Sequence, residues 1–281
     1  MNSEHQGDSE QAALWNGVAG RAWVEAEDLL DHVLRPLERR LVEAVVAGSG
    51  SRVLDVGCGT GSTTVAVARV SSAKDGCVGI DISEPMITAA RARAAREALP
   101  VRFIRADAQT YAFEPAGFDM IVSRFGVMFF DDPVRAFSNL RLAAADNAGL
   151  RFIVWRNAAE NPFMTTAERA AAAVLPDIPQ RPTDGPGPFA LADQQRVSRM
   201  LKESGWDDID LQPIDAFCTL PEKDLIGYFT RLGPLGRIFN ELDEQLRAQV
   251  IETVRPAFDR YVHGEEVRFT AACWMIAARR G

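Results

Sequence analysis

The nine residues from Val53 to Gly61, Val-Leu-Asp-Val-Gly-Cys-Gly-Thr-Gly, constrain the fold of this chain more than any other segment. An apolar run rich in β-branched residues leads into glycines at alternate positions, Gly57, Gly59 and Gly61, and an Ala/Val-rich segment follows. This order predicts a buried strand, a tight turn and a helix. Glycine lets the turn adopt unusual dihedral angles and lets a ligand lie against the main chain. In doubly wound α/β proteins, such a turn at the end of the first parallel strand binds a nucleotide.

Segments with strand character alternate with segments of helical character on both sides of this turn, which predicts a mostly parallel sheet with helices on both faces. The fold class is therefore α/β: a doubly wound seven-stranded sheet with N-terminal helices and helical lid insertions. The expected strands are Arg52–Val56, Cys77–Ile82, Val101–Arg105, Phe118–Ser123, Leu150–Trp155, Ile209–Leu220 and Val267–Ala278. The expected core helices lie near Ser62–Val70, Glu84–Leu99 (capped by Ser83), Pro133–Ala145 (opened by Asp132) and Ala192–Ser204.

Changes of composition divide the rest of the chain. A polar start predicts a flexible tail, and a stripe of Leu and Val with Pro36 in it predicts two helices or one kinked helix. The prolines after Trp155 interrupt the strand–helix rhythm and predict a loop-rich insertion. The expected segments are a tail over 1–12, N-terminal cap helices over 13–48, a cofactor-binding core over 49–156, a Pro-rich lid insertion over 157–190, a core helix and strand over 191–220, a helical insertion over 221–262, and the last core strand over 263–281.

Composition and charge exclude several function classes. The net charge of −8 argues against a nucleic-acid partner, whose phosphates need a basic surface. The four cysteines form no Cys-x-x-Cys pair, so neither a metal site nor a disulfide framework is expected. The polar N-terminus lacks the apolar centre of a signal peptide, and no apolar run approaches the roughly 20 residues of a membrane span. The sequence therefore predicts a soluble, cytoplasmic protein with a small-molecule substrate, and it leaves a homodimer open.

The glycine spacing and three acidic residues distinguish between kinds of nucleotide. A dinucleotide site requires Gly-x-Gly-x-x-Gly, whereas this chain has Gly-x-Gly-x-Gly. Asp55, two residues before Gly57, sits poorly beside a pyrophosphate but suits an ammonium and a sulfonium. Asp81 ends the second strand 20 residues after Gly61, where a carboxylate accepts hydrogen bonds from ribose hydroxyls. Asp107 ends the third strand and either meets an adenine amino group or serves as a turn residue. The pattern favours S-adenosylmethionine, a nucleoside without phosphates.

On these motifs the chain resembles the class I S-adenosylmethionine-dependent methyltransferases, in the group that includes ubiquinone/menaquinone-type and small-molecule methyltransferases. The resemblance is strong over Arg52–Trp155 and looser in the C-terminal strands. It implies a Rossmann-like sheet whose last strand, Val267–Ala278, runs antiparallel and pairs with Ile209–Leu220. It also implies S-adenosyl-L-methionine as cofactor and S-adenosyl-L-homocysteine as product. The cofactor-binding residues so implied are Asp55, Gly57, Cys58, Gly59, Thr60, Gly61, Asp81, Ile82, Met86, Asp107, Ala108 and Ser123.

The end of the fourth strand bears on the methyl acceptor. Methyltransferases that act on nucleobase or glutamine amino groups carry an Asn/Asp-Pro-Pro-Tyr/Phe motif there, whereas this chain has Ser-Arg-Phe-Gly-Val-Met-Phe-Phe over 123–130. The apolar run either lines a pocket or packs a core, and Arg124 either binds an acidic or carbonyl-bearing acceptor or pairs with Asp131 or Asp132. The departure favours a small apolar or aromatic acceptor. The candidate substrate-pocket residues are Trp15, Trp23, Arg124, Phe125, Met128 and Phe229.

Two regions are candidates for covering this pocket. The N-terminal helices either cap the sheet or close over the cofactor, with Trp15 and Trp23 as apolar walls. Aromatic and apolar residues of the two insertions either form a lid over an apolar acceptor or pack helices on the sheet. These residues are Phe163, Phe189, Tyr228, Phe229, Leu232 and Phe239.

No motif identifies a catalytic base. Transfer from a sulfonium has a good leaving group, so the enzyme mainly supplies proximity, alignment and desolvation. His32, His263 and Arg124 are weak catalytic candidates. The expected function is methyl transfer to a small, apolar or aromatic organic acceptor, with C-methylation of a quinone precursor as the alternative. A non-catalytic S-adenosylmethionine-binding protein and an NAD-dependent dehydrogenase are the alternatives from other classes.

Overall fold

An eight-stranded sheet forms the centre of the molecule, for which a computed structural model describes residues 4–47, 51–70, 76–181 and 185–281. The strands in chain order are β1 (Val53–Val56), β2 (Cys77–Asp81), β3 (Arg102–Arg105), β4 (Phe118–Arg124), β5 (Ala144–Trp155), β6 (Asp207–Pro221), β7 (Val262–His263) and β8 (Glu266–Arg279). Across the sheet they follow the order β3-β2-β1-β4-β5-β8-β6, and the two-residue β7 pairs with β8.

Strand directions confirm the doubly wound class. Strands β1 to β5 pair in parallel, while β8 lies antiparallel between β5 and β6. The expected antiparallel last strand and its pairing with the preceding long strand are therefore confirmed, and β7 is an addition. The order reverses between β1 and β4, so the carboxyl ends of these two strands open a crevice. All four residues of β1 are buried, as expected for a parallel strand covered on both faces.

Eleven α-helices surround the described part of this sheet. Ser83 and Asp132 act as the expected caps: Ser83 Oγ accepts from the Met86 amide at 3.4 Å and Asp132 Oδ1 from the Arg135 amide at 3.0 Å. None of the described helices is both long and apolar enough to cross a membrane. The helices are α1 (Glu4–Asn16), α2 (Val18–Glu25), α3 (Glu27–Ala47), α4 (Ser62–Val70), α5 (Glu84–Arg96), α6 (Pro133–Ala143), α7 (Pro162–Ala171), α8 (Gln194–Glu203), α9 (Leu225–Arg231), α10 (Gly233–Ile238) and α11 (Glu244–Val254).

The N-terminal region differs from the sequence-based expectation in two respects. A helix begins at Glu4, where the sequence predicted a tail through residue 12. Helix α3 continues through Pro36, and the chain breaks instead at Gly17 and Ala26. Burial of the apolar stripe of α3 against the sheet offsets the one backbone hydrogen bond that a proline removes. Of the expected Pro-rich lid, residues 182–184 lie outside the described residues.

Candidate active site

A cavity of about 270 Å³ lies at the carboxyl ends of β1 to β4. Its other walls come from α1, α2 and α3 on one side and from α7, α9 and α10 on the other. We call the side formed by α7, Arg181, α9 and α10 the lid side. Most of the lining residues are apolar, and the polar ones gather at the strand ends and on the lid side.

The three glycines of the β1–α4 turn all have left-handed backbone conformations, with φ of +65° at Gly57, +55° at Gly59 and +82° at Gly61. They differ in what surrounds them. A Cβ on Gly61 would lie 2.9 Å from the ring of Phe103, and one on Gly57 would meet the backbone after β4 at 2.5 Å. A Cβ on Gly59 would meet only Met86 Sδ within 4 Å, at 3.7 Å. Gly57 and Gly61 therefore permit close packing, whereas Gly59 faces open space on the cavity wall.

Asp81 stands at the end of β2 on the cavity wall. Its Oδ2 accepts a hydrogen bond from the Gly59 amide at 2.8 Å, and its Oδ1 accepts one from the Ser83 amide at 2.9 Å. Burial raises the pKa of Asp81, and the backbone hydrogen bonds from Ser83, Gly59 and Ile82 oppose that rise. Each carboxylate oxygen has two lone pairs, so Asp81 can shape the glycine turn and still accept from a ligand hydroxyl.

Asp107 and Ala108 line the cavity at the end of β3. Asp107 Oδ1 accepts from the Gln109 amide at 2.9 Å, as the turn interpretation of Asp107 expects, and a contact with an adenine amino group stays a prediction. Gln109 Oε1 in turn accepts from the Asp131 amide at 2.8 Å and the Asp132 amide at 3.2 Å, and it lines the same wall. Gln109 thus joins the end of β3 to the loop after β4, a role that no sequence signal indicated.

Asp55 lies beneath the glycine turn, 2% exposed, and its Oδ2 accepts from Thr64 Oγ1 at 2.6 Å. Together with Cys58 and Thr60 it lines a small pocket adjoining the main cavity across the turn. Burial raises the pKa of Asp55 to about 6, against the Thr64 hydrogen bond and the positive charge of Arg124, which lower it. Burial also raises the pKa of the Cys58 thiol well above its ordinary value, so the thiol stays protonated at neutral pH.

Arg124 lies between the main cavity and the small pocket. Its Nη2 donates to Ser62 Oγ at 2.8 Å, and its Nη1 lies 3.4 Å from Glu38 Oε2. The described ion pair of Arg124 is therefore with Glu38, which α3 brings to the guanidinium from a distant part of the chain, and not the expected one with Asp132.

Five of the expected cofactor residues do not line the main cavity: Asp55, Cys58 and Thr60 line the small pocket, and Gly61 and Ser123 line neither. Gly61 packs in the core, and Ser123, 1% exposed, holds the turn together from below. Ser123 Oγ donates to the Val56 carbonyl at 2.7 Å and accepts from the Gly126 and Val127 amides at 3.2 and 3.3 Å. Ser123 therefore holds the end of β1 close to the loop that follows β4. The expected residues on the main wall are Gly57, Gly59, Asp81, Ile82, Met86, Asp107 and Ala108.

The N-terminal helices both cover the sheet and close the cavity. Helix α3 packs on the sheet, while Trp15 and Trp23 of α1 and α2 line the cavity. Ser83 Oγ donates to the Trp15 carbonyl at 2.7 Å, and Asn16 Nδ2 donates to the Ile82 carbonyl at 3.2 Å. These bonds fasten the end of α1 to the β2–α5 junction, directly beside Asp81.

Phe125 has an uncommon backbone conformation immediately after β4. Its φ of +68° lies in the left-handed region, which costs a residue with a Cβ roughly 1–2 kcal/mol. The ring stacks on Trp155 with centroids 4.5 Å apart and planes 1° from parallel, and both side chains line the cavity. Strain of this kind concentrates at ligand sites. All six expected substrate-pocket residues lie on the main wall: Trp15, Trp23, Arg124, Phe125, Met128 and Phe229.

The aromatic residues of the two insertions fall into two groups: some line the cavity, and others pack behind its wall. Phe163 stacks on Phe269 at 3.9 Å and lies 5.4 Å from the Tyr228 ring, and all three line the cavity. Burial raises the pKa of Tyr228 to about 12, so its hydroxyl is a neutral hydrogen-bonding group. Phe189 and Phe239 instead pack behind the wall.

Neither histidine candidate lies on the cavity wall. His32 is exposed on α3, with Nε2 3.3 Å from Thr219 Oγ1, and His263 is exposed in the β7–β8 hairpin. Neither is therefore proposed as the catalytic base. The charged residues on the lid side were missed, because nothing in their sequence spacing connects them. They are Glu168, Arg181, Arg231 and Arg237.

Comparison with known proteins identifies methyltransferases among the relatives of this chain. A family model described as a methyltransferase domain matches residues 53–146. The chain is 26% identical to the demethylmenaquinone methyltransferase of Renibacterium salmoninarum over 73% of this chain and 87% of that protein. It is 37% identical to the aklanonic acid methyltransferase of Streptomyces sp. (strain C5) over 37% of this chain and 47% of that protein, so this match spans about half of the relative.

A solved structure extends the likeness to the whole fold. Phosphoethanolamine N-methyltransferase 2 of Haemonchus contortus, in complex with S-adenosyl-L-methionine, has a TM-score of 0.53 and 15% identity, covering 99% of this chain and 58% of that chain. At this identity the likeness concerns the fold alone.

Proposed function

We propose that this chain, a class I S-adenosylmethionine-dependent methyltransferase, methylates a small, apolar or aromatic organic acceptor. One observation carries the proposal. The open edge formed by Gly59 and Asp81 shares a single cavity with a wall of aromatic side chains. A polar nucleoside and an apolar acceptor would thus meet inside one enclosure.

The residues at the strand ends fit the cofactor. Gly59 leaves room for a ligand against the main chain, and the carboxylates of Asp81 and Asp107 face hydroxyl and amino donors. Asp55 beneath the turn complements positive charge. When bound, S-adenosylmethionine supplies an electrophilic methyl group on a sulfonium, with no phosphate to neutralise.

The acceptor wall supports an apolar or aromatic body. Trp15 lies edge-on to Phe129 with centroids 4.9 Å apart, and the Phe125–Trp155 stack provides a flat surface. Such rings contribute large apolar area and prefer stacked or edge-on partners. Their contribution to the reaction is to align the acceptor and exclude water.

The wall offers no side chain suited to proton removal near neutral pH. Among the residues described there, none is a histidine, and Tyr228 keeps its proton. Glu168 is engaged by Arg181 at 2.7 Å. The carboxylates of Asp81 and Asp107 lie at the strand ends, so the residues of the acceptor wall contribute orientation of the acceptor and exclusion of water.

Calorimetry with S-adenosylmethionine, S-adenosylhomocysteine and NAD tests the cofactor half of this proposal. We expect both sulfur nucleosides to bind and NAD to give no heat. Tight NAD binding without response to the other two would contradict it and favour the dehydrogenase alternative. Transfer of labelled methyl from S-adenosylmethionine to a panel of phenols, naphthols and aromatic acids tests the acceptor half, and cofactor binding without transfer to any of them would favour a non-catalytic binder.

C-methylation of a quinone precursor is the second candidate. The likeness to a demethylmenaquinone methyltransferase over 73% of this chain favours it. Product formation from a short-chain demethylmenaquinone, with the methyl group on ring carbon, would support this candidate over O-methylation. A homodimer and a cytoplasmic location stay predictions, tested by sedimentation equilibrium and by fractionation of the native host.

A further inference from the structure

Three arginines gather on the lid side of the cavity, opposite the strand ends. Arg181 follows α7, Arg231 ends α9, and Arg237 lies in α10, and all three line the cavity. The acidic residues on the wall are Asp81 and Asp107 at the strand ends and one carboxylate on the lid side. Arg124 at the end of β4 also lines the cavity, with Glu38 3.4 Å from its guanidinium. The strand ends therefore carry a net negative charge and the lid side an excess of positive charge.

The guanidinium of Arg181 is held from several directions. Its Nε donates to Glu168 Oε1 at 2.7 Å, and its Nη2 donates to the Met164 carbonyl at 3.1 Å. It also lies over the ring of Phe189, 5.7 Å from the centroid, and its side chain is only 18% exposed. The remaining Nη hydrogens have no described protein acceptor. A positioned, mostly buried guanidinium with spare donors is suited to a ligand anion.

The other two arginines, Arg231 and Arg237, are exposed and add positive charge on the lid side. Arg231 and Arg237 have no hydrogen-bond or ion-pair acceptor among the residues that the structure describes. Burial lowers the pKa of Arg237, and the positive charge of Arg181 lowers it further, while Glu168 opposes the effect. Glu168 itself is paired with Arg181 and also acts on Arg237, so one carboxylate lies near two guanidinium groups. An anion between Arg181 and Arg237 would relieve this repulsion.

The residues around the arginines indicate which kind of anion would bind there. Planar guanidinium groups bind a carboxylate through two parallel hydrogen bonds. The wall between the arginines and the strand ends is aromatic, with Phe163, Tyr228 and Phe229 on it. A singly charged group loses less hydration free energy on entering such an apolar cavity than a doubly charged phosphate.

We propose that the lid-side arginines, Arg181 and Arg237 foremost, bind a carboxylate of the methyl acceptor and hold its aromatic body against the wall. The acceptor class is thus an aromatic carboxylic acid, with the carboxylate as the anchor. This inference rests on the proposed function, since it assigns the substrate class of the same cavity.

A matched pair of probes tests it: 2-naphthoate and 2-naphthamide, titrated by calorimetry into protein saturated with S-adenosylhomocysteine. The two differ by one charge and little in shape. We expect the acid to bind roughly tenfold or more tightly than the amide, because a hydrogen bond to a charged group is worth about 1.5–3 kcal/mol. Arg237→Gln and Arg181→Gln should each remove most of that preference. Arg169→Gln, which removes an exposed arginine of α7 away from the cavity, should keep it.

The melting temperature and the S-adenosylhomocysteine affinity of each variant verify folding. Should Arg181→Gln fail this check, Arg237→Gln and Arg181→Lys replace it, and Arg181→Lys should keep part of the preference. Equal binding of acid and amide to wild type with S-adenosylhomocysteine bound would overturn this inference and leave the proposed function standing. Binding of neither probe would overturn both this inference and the aromatic acceptor. Tighter binding of 2-naphthyl phosphate than of 2-naphthoate would overturn the carboxylate assignment.

Discussion

At the scale of single residues, the carboxylates around the glycine turn differ in what they do. Asp81 accepts two backbone hydrogen bonds at the cavity edge, whereas Asp55 is enclosed and paired with a threonine hydroxyl. Both have raised pKa values because burial disfavours their charged forms. Asp119, paired with Arg52 at 2.6 Å at the other end of the sheet, has a lowered pKa instead.

Asp81→Ala should weaken S-adenosylmethionine binding by roughly tenfold or more, on the usual value of a hydrogen bond to a charged acceptor. The loss has two parts, because Asp81 also holds the Gly59 amide. Calorimetry measures the change. Asp119→Ala is the control, since it removes a carboxylate far from the cavity and should lower the melting temperature with unchanged affinity. Wild-type affinity in Asp81→Ala would remove this residue from the cofactor site.

Asp55 should make the stability of the wild type depend on pH. Its pKa is about 6 when folded, against 3.8 ordinarily, so between about pH 4 and pH 6 only the folded state holds the proton. As the pH rises from about 4 to about 6, the free energy of unfolding should therefore fall relative to that of Asp55→Asn, by up to about 3 kcal/mol. Above pH 6 the difference between the two proteins should change little. Urea unfolding of both proteins without cofactor measures the difference. A constant difference from pH 4 to pH 8 would contradict the raised pKa.

At the scale of elements, the β1–α4 turn combines two requirements in five residues. Two of its glycines give room to neighbouring parts of the core, and the middle one gives room to a ligand. The regular Gly-x-Gly-x-Gly spacing does not reveal this difference between the glycines. The difference depends on which residues of the sheet, the helices and the loop after β4 lie close to each glycine in the folded protein. The same turn is supported from below by Ser123, which the resemblance had assigned to the cofactor.

Alanine at Gly59 and at Gly61 should have different effects. Each costs about 1 kcal/mol or more for the left-handed backbone. Gly61→Ala additionally pushes a Cβ into Phe103 and Ala90, at 2.9 and 3.0 Å, and should lower the melting temperature strongly. Gly59→Ala should keep most of the stability but lose S-adenosylmethionine affinity, because its Cβ enters the space for the ligand. Thermal unfolding and calorimetry on both variants give the comparison, and equal loss of stability would contradict it.

At the scale of the whole molecule, segments far apart in sequence enclose one cavity. Residues near Trp15 close it on one side, the strand ends form its base, and residues from Phe163 to Phe269 close it on the other. The separation of negative strand ends from a positive lid side arises only in this arrangement. On the proposed assignment, a cationic cofactor and an anionic acceptor occupy different parts of one enclosure and do not compete for one site.

The net charge of −8 leads to a prediction about partners. We expect no salt-dependent binding of single-stranded RNA, because an acidic protein gains little from releasing phosphate counterions. Fluorescence anisotropy with a labelled RNA at low and at physiological salt measures this, with a cationic RNA-binding protein as positive control. Binding that weakens steeply with salt would contradict the prediction and reopen a nucleic-acid acceptor.

The local sequence was sufficient to predict the sheet and the residues at the ends of its parallel strands. Strand and helix periods, the glycine turn and the acidic strand ends depend on neighbours within a few residues or on the fixed order of a doubly wound sheet. They led to the correct fold class and strand pairing, and to seven residues that line the cavity wall, whose contact with the cofactor stays a prediction.

Tertiary structure alone decided the partners of the charged and polar side chains. Glu38 reaches Arg124 across 86 residues, and Ser83 reaches Trp15 across 68. Arg181 and Arg237 line one cavity only because α7 and α10 pack together beside it. Hydrogen bonds and ion pairs act over a few ångströms of space, and the sequence contains many side chains that could be the partner of any given donor or acceptor. Which of them come within that range is set by how the helices pack.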